Sequence, residues 1–291
     1  MTAAGRYGDQ FMNEQSAKRF SFRLGIMQGR LSPKTPGRLQ SFPHDQWRAE
    51  FTRAKELGFH HLEWLVDDGG WSANPLSCPG MAKEIMALTS ISNVKIKSIC
   101  AHFLINGALL SPQESHIAAE ARSDLSALLN AAFEIGVSDV VIPLFEKVSL
   151  SEQSPKRRNL KENLAGISKP CFLGLETDMS AANSLNLLEY LDDQKIGLCY
   201  DMGNATAQGY DVISDFHKLK PFIRVLHIKD RRLDGESVNL GEGDTPVLGF
   251  VRETFESGYL GIYTLETPVY PDWATCARGN LEYLKPLLSV R

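Results

Sequence analysis

A single closed barrel of eight parallel strands, each followed by a helix, is the fold this 291-residue sequence predicts. Three observations predict it. Eight apolar, β-branched-rich runs of strand length recur along the chain, separated by polar turns and amphipathic stretches. No linker, low-complexity tract or change of composition interrupts that alternation. The first turn, "GIMQGRLSPKTPGR", also lacks the G-x-G-x-x-G of an open, nucleotide-binding α/β sheet. The expected boundaries are a polar, poorly ordered arm over 1–21 and one barrel over 22–291, an (β/α)8 or TIM barrel.

The elements follow in order. Strand one is "FRLGIMQGRL" (22–31), and the helix after it, "DQWRAEFTRAKELG" (45–58), closes on Gly58, as helices often do. Strand two is "HHLEWLV" (60–66), followed by "PLSCPGMAKEIMALTS". Strand three, "VKIKSICAHF" (94–103), leads to "AAEARSDLSALLNAAFEIG" (118–136), a helix closing on Gly136. Strand four is "DVVIPLF" (139–145). Its helix, "EQSPKRRNLKENLAGIS" (152–168), is polar at its start and predicted to be short. Strand five, "CFLGLETD" (171–178), precedes "SAANSLNLLEYLDD"; strand six, "KIGLCYDMGN" (195–204), precedes "DVISDFHKLK". Strand seven, "IRVLHIKD" (223–230), precedes "PVLGFVRETFESGY". Strand eight, "GIYTLET" (261–267), precedes "CARGNLEYLKPLLS".

Composition narrows the function classes. The chain is 43% hydrophobic and 23% charged, ordinary for a globular protein. Its net charge of −4 offers no basic excess for gripping nucleic acid through phosphates. No apolar run approaches the roughly 20 residues that span a bilayer, and the opening stretch lacks the apolar core of a signal peptide. Five cysteines, without C-x-x-C spacing, argue against a disulfide framework or a cysteine zinc site. The expected compartment is the cytoplasm, and self-association is left open.

In such a barrel, function sits at the carboxyl ends of the strands. Strand five ends on Glu176, six on Asp201, seven on His227 and eight on Glu266. Any one of these alone reads as a solvated loop residue. Four at one level, each inside an apolar strand where an unpaired charge is costly, read as a metal centre. Two glutamates, an aspartate and a histidine suit one hard or borderline divalent cation, with Mn²⁺ first and Mg²⁺, Co²⁺ or Zn²⁺ as alternatives.

Further residues are expected to surround that centre. Strand alternation would place Lys229 and Arg231 on the face of His227, to meet substrate oxygens. His102 and Glu63 end strands three and two, and Glu146 ends strand four. Each lines the pocket or orients a ligand. Gln28 and Arg30 would close the pocket from strand one, and Trp64, Trp71 and Phe103 would form an apolar wall. Tyr200, next to Asp201, should face the helices.

With these pieces in view, the chain resembles the xylose isomerase-like TIM-barrel superfamily, in its sugar isomerase/epimerase branch. The motifs that carry the likeness are "GIMQGRLSP", "ELGFHHLEW", "LETD", "CYDMGN", "HIKDR", "LGEGD" and the final "LETP", spread from about residue 22 to the end. The resemblance implies metal ligands at Glu176, Asp201, His227 and Glu266, and a substrate contact at Arg231. Family epimerases commonly carry a histidine where this chain has Asn204, and a second glutamate where it has Ala182. The endonuclease branch adds histidines that are absent here at Asn204 and at Phe145 and Glu146.

The expected activity is a metal-dependent isomerisation or epimerisation of a small sugar or polyol-derived ketone. Glu176 and Glu266 would be the catalytic base and acid, and Arg231, Lys229, His102, Asn204, Glu63 and Gln28 would meet the substrate. An inosose-type dehydratase on the same metal is the alternative. Phosphoester hydrolysis of abasic nucleic acid and sugar binding without catalysis are weaker readings.

Overall fold

The structure is a computed structural model, and it describes residues 23–38, 40–144, 150, 154–233 and 235–288. The predicted arm over 1–21 and the strand-four residues Phe145 and Glu146 lie outside the described residues.

Eight strands close into a parallel barrel: β1 (Leu24–Met27), β2 (His61–Val66), β3 (Lys95–Ala101), β4 (Asp139–Leu144), β5 (Phe172–Thr177), β6 (Ile196–Asp201), β7 (Ile223–Ile228) and β8 (Ile262–Leu265). They pair in sequence order, and β8 pairs with β1 to complete the circle. A closed barrel leaves no sheet edge, and helices cover its outer face, so β1, β2, β4 and β6 are buried at every position. Inside, Val141, Cys199 and Val225 pack with Ile262 into a small apolar plug beneath the strand ends.

The covering helices are α1 (Trp47–Leu57), α2 (Met81–Ser92), α3 (His116–Glu134), α4 (Pro155–Ala165), α5 (Ala181–Leu191), α6 (Met202–Ala207), α7 (Val212–Leu219), α8 (Val247–Glu256) and α9 (Trp273–Leu288). In α3, Ala118, Ala121, Leu125, Leu128, Leu129 and Ala132 recur three or four residues apart and form its buried face. The Ser115 hydroxyl caps its start by accepting from the Ala118 N–H at 3.2 Å. Gly58, at φ 86°, ends α1 in the left-handed region. Among the described residues, no helix is long and apolar enough to cross a membrane.

Several strands stop earlier than predicted, and after β1 and β6 a polar side chain captures the backbone N–H groups beyond the strand. β1 ends at Met27. Beyond it the chain turns through Gly29, at φ 87°, where a Cβ would meet the Ser41 carbonyl at 2.8 Å. Glu50 of α1 holds that turn, accepting from the N–H groups of Gly29 and Leu31 and from the Ser32 hydroxyl at 2.7–3.1 Å. β3 gives way at His102 to a 3₁₀ turn, His102–Asn106. β6 ends at Asp201, whose Oδ1 accepts the Asn204 N–H at 2.8 Å and starts α6. β7 ends at Ile228, and Asp230–Arg231 instead pairs antiparallel with Ser237–Val238. Asp230 is fully buried and accepts from the N–H groups of Gly241, Gly243 and Thr245, which ties down the glycine-rich loop.

Candidate metal centre

Register brings the four strand ends together. Asp201 of β6 sits beside His227 of β7, and Thr264 of β8 pairs with His227, which places Glu266 just beyond. Glu176 comes from β5 on the far side of β6. One potential ligand atom from each of Glu176, Asp201, His227 and Glu266 lies within 4.8 Å of all the others. All four side chains are buried.

The donor atoms behave as a cation site requires. His227 Nδ1 and Glu266 Oε2 stand 2.8 Å apart, and His227 Nδ1 is 3.6 Å from Glu176 Oε1. Yet His227 Nδ1, Glu266 Oε2 and Asp201 Oδ2 are buried with no hydrogen-bond partner. Buried polar atoms are nearly always paired. All three belong to the one set of ligand atoms within 4.8 Å of one another. Adjacent oxygen ligands at about 2.1 Å from one octahedral ion would be roughly 3 Å apart, and opposed ones roughly 4.2 Å. The set fits a divalent cation.

Cys199 also lies within reach of Glu176 and His227. Burial, against the pull of His227, pushes its thiol well above the ordinary range, so it stays protonated and a poor ligand. The oxygen-rich set is the competent one.

Glu63 was expected to meet substrate or orient a ligand, and the structure sets it against His227. It is fully buried, with Oε1 2.9 Å from His227 Nε2 and Oε2 accepting from Ser98 Oγ at 2.5 Å and Thr264 Oγ1 at 3.5 Å. A carboxylate on Nε2 holds the proton there and turns Nδ1 toward the centre. Gln28 is likewise sealed in the wall: its Oε1 accepts from the Leu65 N–H at 3.2 Å, and its Nε2 is buried without a partner. Trp64 is not a pocket wall. It packs on Trp47 and Phe42 outside the barrel and donates its indole N–H to Asn74 at 2.9 Å. Strand alternation requires this, since Glu63 beside it points inward. Tyr200 faces the helices, as expected, and stacks on Phe250. Trp71 and Phe103 are partly buried on 3₁₀ turns after β2 and β3.

Cations surround the carboxylates. Lys229 Nζ lies 3.3 Å from both Asp201 Oδ2 and Glu266 Oε1, although it follows the end of β7. Arg30 approaches Glu266 Oε1 at 3.5 Å and donates to the Thr267 carbonyl at 3.1 Å. Gln40, which no sequence pattern distinguishes within its polar loop, donates to the same Glu266 oxygen at 2.7 Å. Asn204 donates to Glu176 Oε1 at 3.2 Å and accepts from Arg231 at 2.9 Å. The Arg231 guanidinium is otherwise spent on the Gly235 carbonyl. His102 sits at the rim, 3.5 Å from Asp68.

These contacts separate the two glutamates. Burial pushes Glu176 up to about 7, against the pull of His227. Burial acts on Glu266 too, but Lys229, His227 and Arg30 outweigh it and hold that carboxyl well below the usual range. Against burial, the carboxylates of Glu63, Glu266 and Glu176 keep His227 above its ordinary value.

The fold and site define a TIM barrel whose last four strands bring two glutamates, an aspartate and a histidine, a set that could hold a metal ion, to one buried point. The chain belongs to the xylose isomerase-like TIM barrel family, whose model matches residues 51–287. No curated protein matches it. Among solved structures it is similar to the 3-keto-D-glucoside 4-epimerase YcjR of E. coli, at 16% identity over 91% of this chain and 99% of that one, TM-score 0.70. The probable 3-DHS dehydratase AsbF of Bacillus anthracis gives 15% identity, 91% and 99% coverage and TM-score 0.66. A xylose isomerase-like barrel of Mycobacterium smegmatis in complex with magnesium gives 18%, 91% and 96%, and 0.63. At these identities the likeness is one of fold.

Proposed function

We propose that this protein is a divalent-metal-dependent isomerase or epimerase of a small sugar or polyol-derived ketone, working in the cytoplasm. The observation that carries the reading is the convergence of three unpartnered buried ligand atoms, from Asp201, His227 and Glu266, with Glu176 beside them. The oxygen-rich donor set favours Mn²⁺ or Mg²⁺ over Zn²⁺. When bound, such an ion supplies the positive charge that acidifies the carbon next to a ketone and stabilises the enediolate.

The chain's own residues supply the proton transfers. β5 and β8 flank β6 and β7 in the barrel, so Glu176 and Glu266 approach from opposite sides of the Asp201–His227 pair. For epimerisation one glutamate removes the α-proton and the other returns one on the opposite face; for isomerisation one glutamate carries the proton between neighbouring carbons on a single face. Asn204 fixes Glu176, and Gln40, Lys229 and Arg30 fix Glu266. Lys229, Asn204, Arg231 and His102 are the proposed substrate neighbours. Glu63 and Gln28 support them from within the wall.

The test is a panel of ketoses and inososes assayed with and without metal in deuterium oxide. Epimerisation or isomerisation with solvent deuterium at the α-carbon supports the reading. Metal-dependent loss of water assigns dehydratase chemistry, the class for which the B. anthracis protein is named. Turnover without metal or deuterium refutes both. Glu176→Gln and Glu266→Gln should each lose roughly 10²–10⁴-fold in rate, the usual size of general acid–base catalysis, while keeping part of the metal affinity.

A further inference from the structure

The opposite, amino-terminal mouth of the barrel carries a second concentration of charge that the metal centre does not use. A cavity of about 660 Å³ opens there, within the size range of small-molecule sites. Arg23, His60, His61, Lys95 and Lys97 line it, and among the described residues no carboxylate does. Pairing of β1, β2 and β3 puts these residues together. Arg23 precedes β1, and His61 lies opposite both Gly25 and Lys95. Neighbouring strands are about 4.8 Å apart, so the charges share one basin.

Three features separate this basin from an ordinary solvated rim. The chain as a whole is acidic, at −4, yet three cations line this basin with no carboxylate among the described lining residues. Asp139, at the start of β4, is already committed to Arg224 at 2.8 Å and to Ser138. Lastly, His61 is 4% exposed, its ring lies over Gly25 where a Cβ would overlap it, and its Nε2 has no partner. Its other nitrogen is bonded to the Tyr263 backbone. Burial, with Lys97 and His60 adding to it, lowers His61 to about 3, so the ring is neutral and Nε2 is an acceptor. Like charges around a cavity repel, and a counter-anion relieves that repulsion.

We propose that this basin is a binding site for a small, multiply charged oxyanion, separate from the metal centre at the other end of the barrel. Arg23, Lys95 and Lys97 hold the charge, and the neutral His61 ring forms part of the wall. Phosphate esters and polycarboxylates share that chemistry.

Calorimetric titration of the full chain, stripped of metal by chelation and dialysis, tests the site with inorganic pyrophosphate and, in parallel, citrate. Saturable uptake of about one equivalent of either probe is expected. Affinity should fall at least tenfold in Lys95→Glu/Lys97→Glu and stay unchanged in Arg231→Ala, at the other mouth. Preference for pyrophosphate assigns a phosphate ligand; preference for citrate, a carboxylate. Uptake of neither probe overturns the proposal, as does uptake that survives in the double variant or vanishes in Arg231→Ala. Circular dichroism checks the fold, and Lys97→Gln, a milder change on an exposed side chain, replaces the double variant if that one fails to fold.

Discussion

Glu63→Leu isolates the support given to a ligand from the ligand itself. Glu63 is fully buried, and its Oε1 is the 2.9 Å partner of His227 Nε2. Leucine fills similar space but leaves that N–H, and the Ser98 hydroxyl bonded to the other oxygen, without an acceptor. The imidazole then loses its fixed tautomer and orientation. Losing such a carboxylate typically costs 10–100-fold in metal affinity, and at 1.36 kcal/mol per tenfold that is about 1.4–2.7 kcal/mol. Glu63→Gln keeps an acceptor oxygen for Nε2 and loses only the charge, so its deficit should be smaller, under about tenfold by the same scale. Competition against a chromogenic chelator at constant pH measures the affinities. Thermal unfolding of the metal-free proteins checks that both variants are folded. A folded Glu63→Leu protein that binds metal as tightly as wild type would refute the argument, because His227 would then need no orienting partner.

Three further outcomes follow from the same geometry. Elemental analysis after dialysis should find about one divalent cation per chain, most of it lost in Asp201→Ala; three tightly held zinc ions would mean a different centre. Burial raises Glu50 to about 7 from 4.5. The stability that its protonated form confers is therefore full below about pH 4.5 and lost as pH rises through 7. Between pH 5 and 8 wild type should lose on the order of 3 kcal/mol relative to Glu50→Gln, from 1.36 kcal/mol per pH unit. Parallel urea titrations without that difference would show the carboxyl to be ionised throughout. Because Arg231 bonds Asn204, which bonds Glu176, Arg231→Ala should lower kcat for neutral and anionic sugars alike. A KM rise confined to the anionic sugar would show that Arg231 acts only as a substrate neighbour and not through Asn204.

Much of this was legible in the chain because it is encoded locally. Strand runs, helix faces and closing glycines are periodic features, and their alternation implied the barrel. Glu176, Asp201, His227 and Glu266 stood out because each is a polar group in an apolar strand, where burial without a partner is expensive. Strand ends were less legible. Asp201 caps α6 and Glu50 holds the turn after β1, and such side-chain captures of backbone N–H groups have no period.

Only the folded chain decided which atoms meet. Glu63 and His227 are 164 residues apart in sequence, and their contact selects Nδ1 as the inward nitrogen. Gln40 reaches Glu266 across 226 residues from a loop with no signature. Lys229 meets two carboxylates beyond the end of its strand, where alternation no longer predicts direction. The basin at the other mouth exists because three strand starts are neighbours in the closed sheet. Sequence pattern determines which residues are buried and at what level of the barrel. Hydrogen-bond partners are a property of distance in space, and closure of the sheet sets those distances.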